Sequence, residues 1–504
     1  MSDGLTGVSP SEARKSISDG AVTIGERVVS QAAQFVIFIL AARFLGPAEF
    51  GVFALVSACA ILTLRASEVG WAEYIMNWSG SSDVPRQVLM ISVACGALFF
   101  GVGLLGAQIV QVFGVGPEII TLIQVFSIWV WIATISSAQK GMMIWMKRLK
   151  AAATCEIIGE AVGLAVAVSA LLMDQGFLAL AYGRVAYQCV HLVASFYVTR
   201  LLPQPGMQLA VFKDLLRFSM QFFTSRMLIH TRLYVATFII GGYLGPTAVG
   251  YYRAADRLVS AVSELIFVPA RLLAWTNFKS ARDAGDAETA NDRINAALRL
   301  WMKGILMFGI PIFLWVIVCS DALIEGLLTS TWLPAAPLVA LLAIGRLLLL
   351  FGPATEPIMS VSGQVSRLPL FTAVMFLVSV GATLLAAQFG VYAVAFAQIA
   401  VGLFGFVATL WLYSKYAQID LGGVWKTLRP SLLPLAVGAL ALVGSAYLLS
   451  FLTIYVLVQA LLSALGALMA YLAALYVFDR QTIDLLLSLR RGASGSAVGG
   501  TPHE

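Results

Sequence analysis

Charge is scarce in this sequence. Of 504 residues only 12% are Asp, Glu, Lys or Arg, where a soluble domain carries about 25%. Histidine is rarer still, with three in the whole chain, and the five cysteines (Cys59, Cys95, Cys155, Cys189 and Cys319) are scattered through or beside apolar runs. Without paired spacing they imply neither a disulfide framework nor a zinc site, and they read as buried space-filling thiols. A Gly-rich loop ending in Lys and Ser/Thr is also missing, which excludes nucleotide hydrolysis by this chain through a phosphate loop. Charged runs of the kind that grip nucleic acid are absent, and the net charge of +6 belongs instead to loops that face one side of a membrane.

Apolar residues fill the space that charge leaves. They make up 60% of the chain, and the mean hydropathy is +0.89. Runs of about 20 apolar residues, the length that crosses a bilayer core of roughly 30 Å, alternate with short polar breaks. Transmembrane strands would be only about 10 residues long. The pattern predicts an all-α polytopic membrane protein with about fourteen spans. Residues 1–20, polar and rich in Ser and Gly, read as a disordered cytoplasmic lead rather than a signal peptide, and residues 481–504 as a cytoplasmic tail. The loops sort by charge. One set holds Arg14 and Lys15; Arg86; Lys147, Arg148 and Lys150; Arg200 and Lys213; Lys279, Arg282 and Arg293; Arg367; Lys415, Lys426 and Arg429; and Arg480, Arg490 and Arg491. The alternate set holds Glu49, Glu118, Asp174 and Glu325 and essentially no cations. The basic set is cytoplasmic by the positive-inside rule, which predicts both termini inside. The mixed-charge stretch from about Phe278 to Leu298 reads as an amphipathic cytoplasmic helix.

A short phrase occurs twice. Leu45-Gly46-Pro47 is followed by Gly51, Val52 and Phe53, and Leu244-Gly245-Pro246 by Gly250, Tyr251 and Tyr252. The copies lie about 199 residues apart, and each links one apolar run to the next. At the same offset Arg27 falls on Arg226 and Gln31 on His230. A second match sets Gly176, Ala179, Ala181 and Tyr182 against Gly390, Ala393, Ala395 and Phe396. The duplication predicts two parallel six-helix bundles related by a pseudo-twofold axis, with a terminal helix pair. The expected boundaries are 21–201 for the N-lobe, 202–414 for the C-lobe and 415–480 for the last two spans. Gly46-Pro47 and Gly245-Pro246 read as tight external turns.

The repeated Leu-Gly-Pro turn with Gly51 and Phe53, the polar lead from Arg14 to Gly20, and the span layout resemble the Wzx-type polysaccharide flippase branch of the multidrug, oligosaccharidyl-lipid and polysaccharide exporter superfamily. The likeness runs from about Ser16 to Asp479. It implies two lobes about a central cavity lined by spans one, two, seven and eight. It further implies a bacterial inner-membrane transporter that carries an isoprenoid-diphosphate-linked glycan to the outer leaflet by alternating access, for exopolysaccharide or surface polysaccharide synthesis, and is not an enzyme. Membrane lipid and the downstream polymerase and export machinery are the implied partners. An ion-coupled small-molecule exporter of the same superfamily (the MATE type) is the alternative.

An ionisable side chain at the centre of a membrane helix costs about 2.5–3.5 kcal/mol, so it faces a cavity or a partner. Arg253, Asp256, Arg257, Ser260 and Glu264 fall on one helical stripe in span eight, where a lipid-facing position is untenable. Two readings stand open. Arg253 and Arg257 bind a diphosphate through their guanidinium forks, or they form an internal ion-pair lattice with Asp256 and Glu264. Arg27 and Arg226 read either as a clamp across the cavity, with Gln31 and His230 beside them, or as cations snorkelling to headgroups. No cofactor is implied. H+ or Na+ coupling is open, with His230, Asp256 and Glu264 as candidate carriers. Arg65 and Glu68 read as a pair one turn apart. Glu156 and Glu160 read as partners of Lys147 or Arg148, and Arg184 as one of a polar set with Gln188 and His191. Gly159 and Gly163 read as a packing face. Trp129, Trp131, Trp145, Trp332 and Trp425, mostly near span ends, read as interface anchors.

Overall fold

The computed structural model describes Gly25 and residues 29–285 and 289–480; the side chains at 221, 222, 224–226 and 228 lie outside that description. The expected lead at 1–20, the tail at 481–504, and Arg27 with Glu26 all fall outside it too. Among the described residues there are helices and turns but no β-strand, so the all-helical membrane class read from composition is the one observed.

In the first half of the chain, α1 (Val29–Phe44) is a short apolar helix. It is followed by α2 (Pro47–Glu68), α3 (Trp71–Asn77), α4 (Asp83–Val112), α5 (Pro117–Trp145), α6 (Leu149–Leu172) and α7 (Leu178–Thr199). Then α8 (Leu209–Asp283) runs 75 residues with a break at Gly245. The second half contains α9 (Ala290–Val318), α10 (Ser320–Leu327), α11 (Ala336–Leu348), α12 (Thr355–Val361), α13 (Leu368–Ala387), α14 (Val391–Ala417), α15 (Leu421–Leu449) and α16 (Val456–Phe478). Eleven stretches among the described residues are long and apolar enough to cross a membrane, one of them the broken stretch Ile229–Asp283. Leucines such as Leu98, Leu105, Leu440 and Leu468 stand exposed along these helices, as faces turned to lipid require.

Contacts divide the chain into two units, Met1–Gly250 and Tyr251–Glu504. In the first, α6 and α7 approach backbone to backbone. A Cβ on Gly163 would meet the Gly183 carbonyl, and one on Gly183 would meet Ala167 and the Gly163 carbonyl. Gly159 lies as close to Tyr187, so these glycines form the packing face expected of them.

The duplicated phrase does more than turn. Gly46 is extended (φ −73°, ψ 162°) and hands the chain to Pro47 at the first position of α2, where a fixed φ and a missing N–H cost nothing. Gly245 breaks α8 at φ 81°, ψ 178°, a conformation open essentially to glycine alone. The two copies then touch. A Cβ on Gly51 would overlap the carbonyl of Pro246, and a Cβ on Gly250 would overlap the carbonyl of Pro47. Each copy supplies the glycine that admits the other's carbonyl.

In the second unit, the helical path breaks between Leu348 and Thr355, around a 3-10 turn at Gly352–Ala354. The buried Tyr413 hydroxyl donates to the Phe351 carbonyl at 2.8 Å and meets Thr355 Oγ1 at 3.1 Å. Backbone freed by the break is thereby paired away from lipid. Nearby, Lys303 Nζ lies 2.9 Å from Asp479 Oδ2, which also accepts from Ser431 Oγ at 2.8 Å. Both partners are largely buried, with side chains 13% and 4% exposed. Removing one partner of such a pair leaves an uncompensated charge, at about 3–5 kcal/mol. Lys303→Met and Asp479→Asn are therefore each expected to lower the thermal unfolding temperature in detergent, and the double variant to lower it by less than the sum of the two.

Two expectations are corrected. The stretch from Phe278 to Leu298 is not a separate amphipathic helix: α8 continues to Asp283 and α9 starts at Ala290. Arg293 Nε reaches the Ala281 carbonyl at 2.9 Å across the turn, so its charges cap a hairpin between two long helices. Trp332 is fully buried and Trp129 nearly so; neither anchors an interface, whereas Trp425 is exposed.

Candidate functional site

The first unit holds a cavity of about 270 Å³ lined by Ile61, Leu64, Arg65, Trp129, Arg184, His230, Leu233 and Tyr234. Four helices build it. Arg65 sits in the last turn of α2, just before the left-handed residues Val69 and Gly70 end that helix. Its guanidinium pairs with Glu68, one turn along, as the spacing predicts. Trp129 comes from the middle of α5, buried, with its indole N–H making no hydrogen bond among the described residues. Arg184 projects from the first third of α7 and lies over the Trp129 ring, 5.8 Å from the centroid, within cation–π range. His230 and Tyr234, one turn apart, come from α8 before its break at Gly245.

This arrangement is suited to an anion. Arg184 is more than a third exposed, lies within a helix of membrane-spanning length, and makes no ion pair among the described residues. A guanidinium so placed needs water or an anion as its neighbour. Glu68 offsets Arg65, which leaves Arg184 as the uncompensated charge of the cavity. Its planar fork can grip two oxygens of a phosphate at once.

The second unit carries the stripe expected from the sequence, in altered form. Arg253 Nη1 lies 3.2 Å from Asp256 Oδ2, and Arg346 Nη2 of α11 lies 3.4 Å from Asp256 Oδ1. One carboxylate thus bridges two arginines, the lattice reading for Asp256. Arg257 is half-buried on the same stripe. Glu264 is exposed and makes no ion pair among the described residues, so the lattice does not extend to it. A separate apolar groove of about 190 Å³ runs between α9, α15 and α16, lined by Pro311, Trp315, Leu435, Leu442, Leu468 and Tyr471.

The remaining predicted residues divide as follows. Arg226 lies in α8, with its side chain outside the description. Gln31 is exposed on α1. Its neighbours on that face, Ser30 and Gln34, donate to Glu160 Oε1 of α6 at 2.8 and 3.3 Å. Glu160 is therefore the acceptor of α1's polar face and not a partner of Lys147 or Arg148. Glu156 is likewise held by Lys140. Sequence reasoning underrated Arg184 and Trp129. The available signal was an arginine inside an apolar run with no carboxylate at i±3 or i±4.

The sequence model of the polysaccharide biosynthesis protein family matches residues 39–337, more than half of the chain. The chain belongs to that family. A relative, the teichuronic acid biosynthesis protein TuaB of Bacillus subtilis (strain 168), is 21% identical over 356 residues, 70% of this chain and 72% of that one. Among solved structures, the lipid II flippase MurJ in an inward closed conformation matches with a TM-score of 0.69 at 13% identity, over 93% of this chain and 100% of that one. An inward-facing multidrug resistance MATE family transporter of the MOP superfamily matches with a TM-score of 0.58 at 14% identity, over 77% and 96%. The fold of the family member is therefore that of the MOP-superfamily transporters. MurJ is a flippase and the MATE protein a transporter; at 13% and 14% identity the likeness to both is one of fold.

Proposed function

We propose that this protein is a flippase that carries an isoprenoid-diphosphate-linked oligosaccharide from the inner to the outer leaflet of the bacterial inner membrane, for exopolysaccharide or surface polysaccharide synthesis. The observation that carries the reading is the cavity of the first unit, where Arg65, Arg184 and His230 gather among helices long enough to span a bilayer. A diphosphate gives Arg184 the anion that the described residues do not provide. Membership of a polysaccharide biosynthesis family supports a glycan as the rest of the cargo, and the apolar groove beside α15 and α16 is suited to part of a hydrocarbon tail. Alternating access by two lobes divided near residue 201 belongs to this proposal, as do both termini inside the cell.

No bond is made or broken in this cycle. Arginine and histidine side chains replace water around the diphosphate while the headgroup crosses. A cation or drug exporter would place carboxylates where this cavity places guanidinium groups, which disfavours the MATE-type alternative. Deleting the gene is expected to accumulate lipid-linked repeat units with headgroups on the inner leaflet. Normal polymer together with altered drug sensitivity would overturn the proposal.

A further inference from the structure

Beyond the cavity, the first unit encloses a second cluster of ionisable groups. Glu156 of α6 is buried, its carboxylate contacting the Lys140 ammonium from α5 and the Tyr187 hydroxyl from α7. His191, also on α7, is 2% exposed. Its Nδ1 is hydrogen-bonded to Ser136 of α5, while its Nε2 has no hydrogen-bond partner and stands 3.8 Å from Glu156 Oε1. The groups facing this imidazole are thus Ser136 and Lys140 from α5, Glu156 from α6 and Tyr187 from its own helix. The Cys155 thiol adjoins Glu156 on α6, and Glu160, one turn further, is engaged by Ser30 and Gln34.

The neutral His191 imidazole carries one proton on its two ring nitrogens, set between Ser136 and Glu156, and can take up a second. Taking it up makes both ring nitrogens donors, Nδ1 to the Ser136 oxygen and Nε2 to Glu156. The cluster then holds two cations for one carboxylate. Of the two, Lys140 is the one able to leave: its side chain is 43% exposed, against 3% for His191, and its stem is flexible. The cluster shares α7 with Arg184 of the anion cavity. Arg184, Tyr187 and His191 fall at i, i+3 and i+7 on α7, one face of one helix, and about 10 Å separates its ends at 1.5 Å per residue.

We propose that His191, with Glu156 and Lys140, is the proton-binding site through which a proton gradient drives this transporter. Protonation of His191 transfers Glu156 from Lys140 to the imidazolium and shifts the α5–α6–α7 packing that positions Arg184 and Trp129. The coupling half rests on the flippase reading; the proton-binding half does not.

Two measurements keep them apart. In full-length protein labelled with ¹⁵N-histidine in nanodiscs, His191 is expected to take up a proton on acidification, read from its ring nitrogen shifts. Its midpoint should fall in Glu156→Gln, which removes the adjacent anion, and rise in Lys140→Met, which removes the competing cation. In proteoliposomes carrying an isoprenoid-diphosphate oligosaccharide, a pH gradient is expected to accelerate headgroup translocation by wild-type protein, and His191→Gln to lose that acceleration while keeping the gradient-free rate. The two charge variants serve where His191→Gln fails to fold. An imidazole that stays neutral down to pH 5, or a midpoint indifferent to both charge variants, would overturn the site. Undiminished acceleration in a folded His191→Gln protein would overturn the coupling. Wild-type protein that moves no headgroup, with or without a gradient, would overturn the flippase reading and the coupling together, and the titration would still decide the site.

Discussion

Gly51→Ala is expected to cut transport strongly while Gly46→Ala leaves it unchanged, although both alter the same turn by one methyl group. The difference is geometric. A Cβ on Gly46 meets nothing within 4 Å, and its backbone is in an ordinary extended conformation. A Cβ on Gly51 overlaps the carbonyl of Pro246, which is backbone and cannot rotate away. The two segments must separate or the site must absorb strain, at about 1–3 kcal/mol for an overpacked methyl. That range shifts a two-state equilibrium by about 5- to 150-fold. Gly250→Ala, facing the Pro47 carbonyl, is expected to have the same effect, because the contact is reciprocal. In a background without the native cysteines, a cysteine at Ala48 should label faster with a membrane-impermeant thiol reagent in Gly51→Ala and Gly250→Ala than in the parent or in Gly46→Ala. Equal labelling in all four would show that the contact between the two phrases does not hold the turns together.

Arg184→Ala is the second large effect. A charge-assisted hydrogen bond is worth about 1.5–3 kcal/mol, so losing the guanidinium should weaken binding of an isoprenoid diphosphate by about 10- to 100-fold. Arg184→Lys keeps the charge but loses the planar fork and its stacking on Trp129, and should recover only part of the affinity. Arg65→Ala is expected to cost less, since Glu68 already offsets that charge. Binding to purified protein, followed by calorimetry, separates these variants. Equal losses for Arg65→Ala and Arg184→Ala would contradict the view that Arg184 carries the uncompensated charge.

What could be read from the sequence follows the reach of its periodicities. Helix class and the Arg65–Glu68 pair depend on spacing along one helix, and both were legible. The Gly159–Gly163 packing face was legible for the same reason. The doubled Leu-Gly-Pro phrase was visible as a repeat, yet the contact between its copies was not, because nothing in a linear pattern says which carbonyl a glycine admits. Interhelical partners were similarly hidden. Glu156 found Lys140, Tyr187 and His191 on two other helices rather than the nearby Lys147 or Arg148. Asp256 drew in Arg346, ninety residues away in sequence. Arg184 gained its meaning only when α2, α5, α7 and α8 brought Arg65, Trp129 and His230 to it. Sequence marked which residues lipid would reject; tertiary packing decided what each of them faces.

The account turns on whether a lipid-linked anionic headgroup crosses through this protein. Proteoliposomes loaded with an isoprenoid-diphosphate-linked oligosaccharide and exposed to a glycan-cleaving enzyme outside report that crossing directly. Wild-type protein should render the inner-leaflet pool cleavable, and Arg184→Ala protein at equal density should not. Cleavage of only the outer-leaflet pool by wild-type vesicles, as in vesicles without protein, would contradict the account.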